Sequence, residues 1–235
     1  MMPVTVEIRR ASDAFVTRER GRLTRHGFSF GPHYDPGNVA FGPMVCHDDH
    51  LLSGGQGFAD HSHADLEIVT WVLRGSLTHT DSSHHEGTVG PGTVQVLSAG
   101  SGVVHAETVA PDAGATRFVQ VWLTPDRLGA APSYAVAPVP LSDGELVPVA
   151  SGHDPAAAVR LGTAGATFSV ARLPAGRTLT LPDAPRQHVY VATGALVRSS
   201  LAQPLAEGDA FRISDRSGVE VTAAVPTELL VWTFT

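Results

Sequence analysis

Residues 67–82 read EIVTWVLRGSLTHTDS. From Glu67 to Leu73 the run is β-branched and aromatic, Arg74 and Gly75 close it, and SLTHTDS leads away, so the stretch is a strand, a turn and a second strand. The pattern continues outward with TVQVLSA (Thr93 to Ala99), GVVHAETV (Gly102 to Val109) and RFVQVWL (Arg117 to Leu123), separated by PG, AGSG and PDAGA turns. Strands at intervals of about ten residues indicate a sandwich or small barrel.

The same grammar returns in HVYVATGALV (His188 to Val197), a turn containing Gly208, then AFRIS, VEVTA and ELLVWTF. Aligning Gly75 with Gly194 sets TWVLRGSL against VYVATGAL, and aligning Gly92 with Gly208 sets PGTVQVLS against EGDAFRIS. This internal repeat predicts two copies of one barrel. The expected division is an N-terminal barrel over 1–125, a Pro-, Ala- and Gly-rich connection over 126–158, and a C-terminal barrel over 159–235. The stretch up to about Asp60 then pairs with or covers one of them.

Composition agrees with that division. A chain of 235 residues suits two domains of about 110 to 120 residues, each able to bury its own core. The 24 Gly and 17 Pro interrupt the chain too often for long helices. Net charge is -7, and the 16 basic residues form no run, which argues against a nucleic-acid partner. Cys46 is the single cysteine and can form no internal disulfide, so a reduced, cytoplasmic setting is expected. MMPVTVEIRRASDAF carries no apolar leader core, and no apolar stretch nears the roughly 20 residues that cross a bilayer, so a soluble chain without a membrane anchor is expected.

The chemistry lies in two short spacings. His61 and His63 are two apart, as are His105 and Glu107, and in a strand that spacing puts both side chains on one face. With 12 histidines in the chain, either pattern alone is weak, and only their joint placement is informative. The 41 residues between His63 and His105 can wind part of a barrel and bring the second pair opposite the first. Three imidazoles and one carboxylate suit iron, manganese, cobalt, nickel or zinc, and leave two positions of an octahedral ion open. A structural zinc site would use more thiolates than Cys46 supplies.

Gly55, His61, His63 and Glu67 reproduce the cupin motif G-x5-HxH-x3-E, with Gly75 one residue later than usual. RHGFSFGPHYDPGNVAFGP, GFADHSHADLEIVTWVLRGSLTHTDS and PGTVQVLSAGSGVVHAET narrow this further and resemble the pirin family of bicupins over about 90 residues, from Arg25 to Glu107. The C-terminal half matches in outline only. The resemblance implies an all-β fold of two cupin barrels (double-stranded β-helix, jelly-roll) in tandem. It implies His61, His63, His105 and Glu107 as ligands of one divalent metal, with iron the expected ion. It further implies quercetin 2,3-dioxygenase activity, in which dioxygen opens a flavonol ring and carbon monoxide leaves, with Glu107 as the catalytic base. Other members are transcriptional cofactors or redox sensors, so a non-enzymatic regulator with a protein partner is the alternative. A monomer is expected on resemblance. Ser62 departs from the family's usual proline without removing a ligand.

Rival readings attach to several residues. Glu67 competes with Glu107 for the carboxylate role, since an unbroken strand would put it on the face of His63; otherwise it hydrogen-bonds a ligand or a water from behind. His79 and Asp81 read as a hydrogen-bonded hairpin end or as support for the ligands. His84 and His85 read as solvated turn residues. His47, Asp48, Asp49 and His50, in CHDDH, read as a surface loop, and Cys46 as a small buried hydrophobe. His26, His33 and Tyr34 belong to the family-like N-terminal element and are placed near a cavity mouth. In the repeat alignment His61, His63 and Glu67 fall opposite Thr180, Pro182 and Arg186, and the His105 and Glu107 region falls near Val221 and Ala223. His188 is the single histidine of that half, so the C-terminal barrel is expected to be metal-free.

Overall fold

The computed structural model describes residues 5–197 and 203–235. Its first strands are β1 (Thr5–Arg9), β2 (Phe15–Glu19), β3 (Arg22–His26), β4 (Met44–Leu52), β5 (Gly57–His63) and β6 (Glu67–Arg74). They continue as β7 (Leu77–Asp81), β8 (Glu86–Val89), β9 (Thr93–Ser98), β10 (Val103–Thr108), β11 (Thr116–Leu123) and β12 (Ser133–Pro138). Next come β13 (Leu146–Ser151), β14 (Val159–Arg160), β15 (Ala166–Leu173), β16 (Thr178–Thr180) and β17 (Arg186–Thr193). The last are β18 (Ala195–Leu196), β19 (Leu205–Ala206), β20 (Ala210–Ser214), β21 (Glu220–Thr222) and β22 (Thr227–Phe234). Among the described residues the only helical element is one short turn, Ala11–Asp13, and no helix is long and apolar enough to cross a membrane.

Two compact units divide the chain. The N-terminal unit comprises Phe15–Val139 with Leu161–Ala164. It has a seven-stranded sheet in the order β12-β9-β6-β11-β4-β3-β2 and a four-stranded sheet in the order β5-β10-β7-β8. Leu52, Val72 and Phe118 of the larger sheet pack with Leu77 and Val89 of the smaller one, and Phe58 lies against them. Each such side chain contributes about 1.5–3 kcal/mol by leaving water. The C-terminal unit has its own seven-stranded sheet, β1-β20-β17-β22-β15-β13-β14, and two short pairs, β16-β21 and β18-β19. Its interior is apolar, with Val189, Val191, Phe211, Ile213, Leu229 and Val231 meeting Leu181 and Val221. Both units are cupin-type jelly-rolls.

The repeat is visible at single-residue scale. Gly75 (φ 80°) and Gly194 (φ 83°) each turn the chain in the left-handed region, where a Cβ is strained. A Cβ at Gly75 would collide with Thr116, and one at Gly194 with Thr227. Each threonine hydroxyl clips the residue after its glycine: Thr116 Oγ1 accepts the Ser76 N–H (3.2 Å) and donates to Ser76 O (3.0 Å). Thr227 Oγ1 treats Ala195 identically, at 3.1 and 2.9 Å.

The 126–158 segment, expected as a plain connection, carries two strands. SYAVAP forms edge strand β12 beside β9, and Leu146–Ser151 forms β13 beside β15. Their prolines hid them. Pro138 ends an edge strand, and Pro148 sits where the β13–β15 register shifts, the two places a sheet tolerates a residue without an N–H. β1 also pairs with β20, so the first strand belongs to the C-terminal unit.

CHDDH is not a surface loop. It is the centre of β4, a nine-residue strand paired on both sides, and His47, Asp48, Asp49 and His50 are all buried. Pairing supplies the partners that its polarity demands. Arg117 grips Asp49 with two nitrogens (3.0 and 2.6 Å), and Thr24 Oγ1 lies 2.8 Å from His50 Nδ1. Burial pushes the His50 pKa down to about 4, although Asp48 and Asp49 work to raise it.

Two outcomes test these points. Gly75→Ala and Gly194→Ala each lower stability in urea denaturation by about 1–3 kcal/mol through the positive φ alone. For His50, the unfolded imidazole protonates near 6.5 and the folded one near 4. Below pH 6.5 the unfolded state therefore binds more protons, and stability falls as pH drops from about 6.5 to about 4. His50→Gln shrinks the loss of stability between pH 7 and pH 5 by about 1–2 kcal/mol.

Candidate metal centre

β5 and β10 are hydrogen-bonded neighbours, so the two ligand pairs lie side by side on one wall rather than on opposite walls. His61 stands directly opposite His105 and His63 opposite Val103, but Glu107 stands opposite Phe58. Between those pairs β5 spends three steps where β10 spends two, a one-residue bulge at Ala59–Asp60. The bulge reverses the alternation of β5, so Phe58 and His61 both face inward although they are three apart. His61 Nδ1 then lies 2.7 Å from Ala59 O, which fixes that nitrogen as the donor and leaves Nε2 for a ligand role.

The rings converge. His61 lies 4.3 Å from His105 and 4.8 Å from His63, centroid to centroid, and His63 lies 5.1 Å from His105. One nitrogen from each can be chosen so that all three lie within 4.8 Å of one another. Glu107 belongs to a second trio that meets the same limit, with His105 and His79, so His105 is the shared member. The fit to a metal rests on atoms left without partners: Nε2 of His63 and both ring nitrogens of His105 are buried and accept or donate no hydrogen bond. Burial, and then the neighbouring His61, lowers His63 to a pKa of about 4, and burial with His61 and His63 lowers His105 to about 3. Both are neutral at physiological pH, the form that ligates.

Glu107 is 1% exposed, and each of its oxygens accepts an amide N–H, from Gln95 Nε2 (2.9 Å) and Gln120 Nε2 (2.7 Å). The Gln120 amide cannot be reversed. Trp122 Nε1 only donates, and it points at Gln120 Oε1 (2.9 Å), so the Gln120 NH₂ must face Glu107. The Gln95 NH₂ faces the acceptor carboxylate of Glu107, and Tyr134 O–H donates to the Gln95 Oε1 that this leaves (3.0 Å). Burial raises the Glu107 pKa, while the bond from Gln120 opposes the rise.

His79 is fully buried beneath these groups and stacks on Tyr134 at 4.4 Å, with Nε2 3.1 Å from Asp81. Asp81 also binds the N–H groups of Ser83 and His85, so the hairpin-end and ligand-support readings describe one cluster. His85 is half-exposed and bonded to Asp81; His84 is exposed. Glu67 takes no part. The turn between β5 and β6, with Asp65 at φ 54°, breaks the alternation, and the Glu67 carboxylate instead accepts from Ser98 Oγ (2.9 Å) and Gly162 N (3.0 Å). Burial raises its pKa. In the C-terminal unit, Thr180 lies on β16 and Val221 on β21, around an apolar interior.

Gln95, Gln120, Trp122 and Tyr134 are functional neighbours that the spacing motifs miss. Their signal was a lone amide in VQV of both TVQVLS and RFVQVWL, a polar residue on an inward strand position.

A jelly-roll barrel that gathers histidines from two adjacent strands into its interior defines the cupin class of metal-site proteins. Residues 8–123 match the family described as Pirin. A Mycobacterium tuberculosis protein named "Putative quercetin 2,3-dioxygenase Rv0181c" is 42% identical over 98% of this chain and 96% of its own length. A Caulobacter vibrioides "Pirin-like protein" is 36% identical over 88% of this chain and 90% of its own. The crystal structure of the Escherichia coli bacterial pirin YhhW in complex with nickel(II) superposes with a TM-score of 0.89, at 24% identity, over 98% of this chain and 99% of that one. The chain belongs to the pirin family.

Equilibrium dialysis against Ni(II) tests the site. Wild-type protein takes up one ion, His63→Ala and His105→Ala lose it, and His188→Ala keeps it. Gln120→Leu weakens binding about 10- to 100-fold with the fold retained, because Glu107 loses one of the two donors that hold it.

Proposed function

We propose that this chain is a mononuclear metal-dependent dioxygenase that opens the ring of a flavonol such as quercetin by 2,3-dioxygenation. The observation that carries the reading is the convergence of unpartnered imidazole nitrogens, His63 and His105 with His61 beside them, next to a buried, doubly hydrogen-bonded carboxylate. His61, His63, His105 and Glu107 are the proposed ligands. A divalent ion held there, iron by preference, would supply Lewis-acid and redox chemistry toward the phenolic oxygen and dioxygen.

The protein's own groups do the rest. Glu107 accepts the proton of the substrate 3-hydroxyl. Gln95 and Gln120 keep its oxygens in place during the transfer. Trp122, packed on His63 at 4.8 Å, and Phe30, against Trp122 at 5.6 Å, give the site an aromatic wall that matches a planar substrate. Relatives named as quercetin 2,3-dioxygenases, one from Escherichia coli at 37% identity over 46% of this chain, support the choice of substrate.

Oxygen uptake by the iron-loaded protein decides the matter. With quercetin it consumes one dioxygen and releases one carbon monoxide per substrate, and Glu107→Gln lowers kcat by about 100-fold or more. No uptake, under conditions where an active quercetinase consumes oxygen, contradicts the reading.

A further inference from the structure

A buried polar pair lies outside the ligand set. His26 and Asp48 are 5% and 4% exposed, with His26 Nδ1 2.9 Å from Asp48 Oδ2. The other ring nitrogen, Nε2, lies 2.9 Å from Thr17 Oγ1. An imidazole tethered at both nitrogens cannot turn about its own axis, so its plane is fixed. The face of that fixed ring stacks on Phe30, at 5.3 Å between centroids and 9° between planes. Phe30 meets Trp122 in an edge contact (5.6 Å, 74°), and Trp122 packs on His63 (4.8 Å).

Phe30 is nonetheless 41% exposed. Its backbone is held as firmly as its ring. Phe30 and His33 exchange two 2.9 Å hydrogen bonds across Gly31, whose φ of 54° favours glycine, and Pro32. Ser29 N donates to Asn38 O (2.8 Å), Ser29 Oγ donates to Asp35 O and accepts from Asp35 N (both 2.8 Å), and Asn38 Nδ2 donates to Gly27 O (3.1 Å). An apolar ring kept in one orientation at the surface, two ring contacts from a proposed ligand, is a preorganised partner for a flat molecule and loses little entropy when covered.

We propose that Phe30 is a stacking platform for the substrate's planar aromatic ring system, and that the buried His26–Asp48 pair positions it. This rests on the reading of the chain as an enzyme for a phenolic compound: one ring of a flavonol reaches the histidine cluster while another lies against Phe30. His26 and Asp48 are positioning residues and Phe30 the contact.

The test uses full-length, metal-loaded protein and quercetin, with binding followed anaerobically by fluorescence titration and turnover by oxygen uptake. Phe30→Ala raises Kd and KM about ten-fold, KM changes more than kcat, and metal stoichiometry stays at the wild-type value. Phe30→Tyr restores binding; Phe30→Leu, which keeps apolar bulk without a π-face, does not. Asp48→Asn weakens binding in the same direction by a smaller factor. If Phe30→Ala or Phe30→Leu binds quercetin as wild type does, the platform is wrong and the enzymatic reading stands. If wild-type protein binds no quercetin, the phenolic reading falls and the platform with it.

Discussion

Everything at the centre depends on the register between β5 and β10, including one bulged residue. Side chains alternate along a strand, so a slip of one position would turn His61 and His63 toward solvent and leave His105 without them. The bulge at Ala59–Asp60 lets Phe58 join the apolar core while His61, three residues on, still faces inward. One irregularity thereby joins two layers of the interior that straight strands could not supply together.

Those layers have different chemistry. At one level Leu52, Val72, Leu77, Val89 and Phe118 make an ordinary apolar core. At the next, Glu107 would be costly to bury, and the cost is offset by two amides whose own oxygens are held by Trp122 and Tyr134. The aromatic side chains that line the site are therefore also the groups that orient its carboxylate. The C-terminal unit fills the corresponding space with Val189, Leu229, Val221 and their neighbours, which need no such support. The same fold serves once as a container for polar groups and once as a plain core.

How much of this was legible follows from what a sequence encodes locally. EIVTWVL and VYVAT declare strands because a half-buried sheet selects β-branched residues at short range, and Gly75 and Gly194 declare their turns because a Cβ would collide with Thr116 or Thr227. The H-x-H and H-x-E spacings survive for the same reason, since period two is a property of a single strand. CHDDH was not legible: four polar residues in a row look solvated until pairing puts Arg117 and Thr24 beside them, and those partners are far away in sequence. Glu67 stood as a rival to Glu107 for a related reason. Its distance from His63 suits a continuous strand, and the turn through Asp65 ends the strand. Prolines concealed β12 and β13 because their tolerance at an edge and at a bulge depends on neighbours.

The central claim is that three imidazoles of the N-terminal barrel and the carboxylate held by Gln95 and Gln120 form one metal site. X-ray absorption at the metal edge of stoichiometrically loaded protein tests it most directly. The account predicts three imidazole nitrogens and a carboxylate oxygen around the ion, with the oxygen contribution altered in Glu107→Gln. A thiolate in the shell, two imidazoles instead of three, or a fourth imidazole with Glu107→Gln indistinguishable from wild type would contradict it.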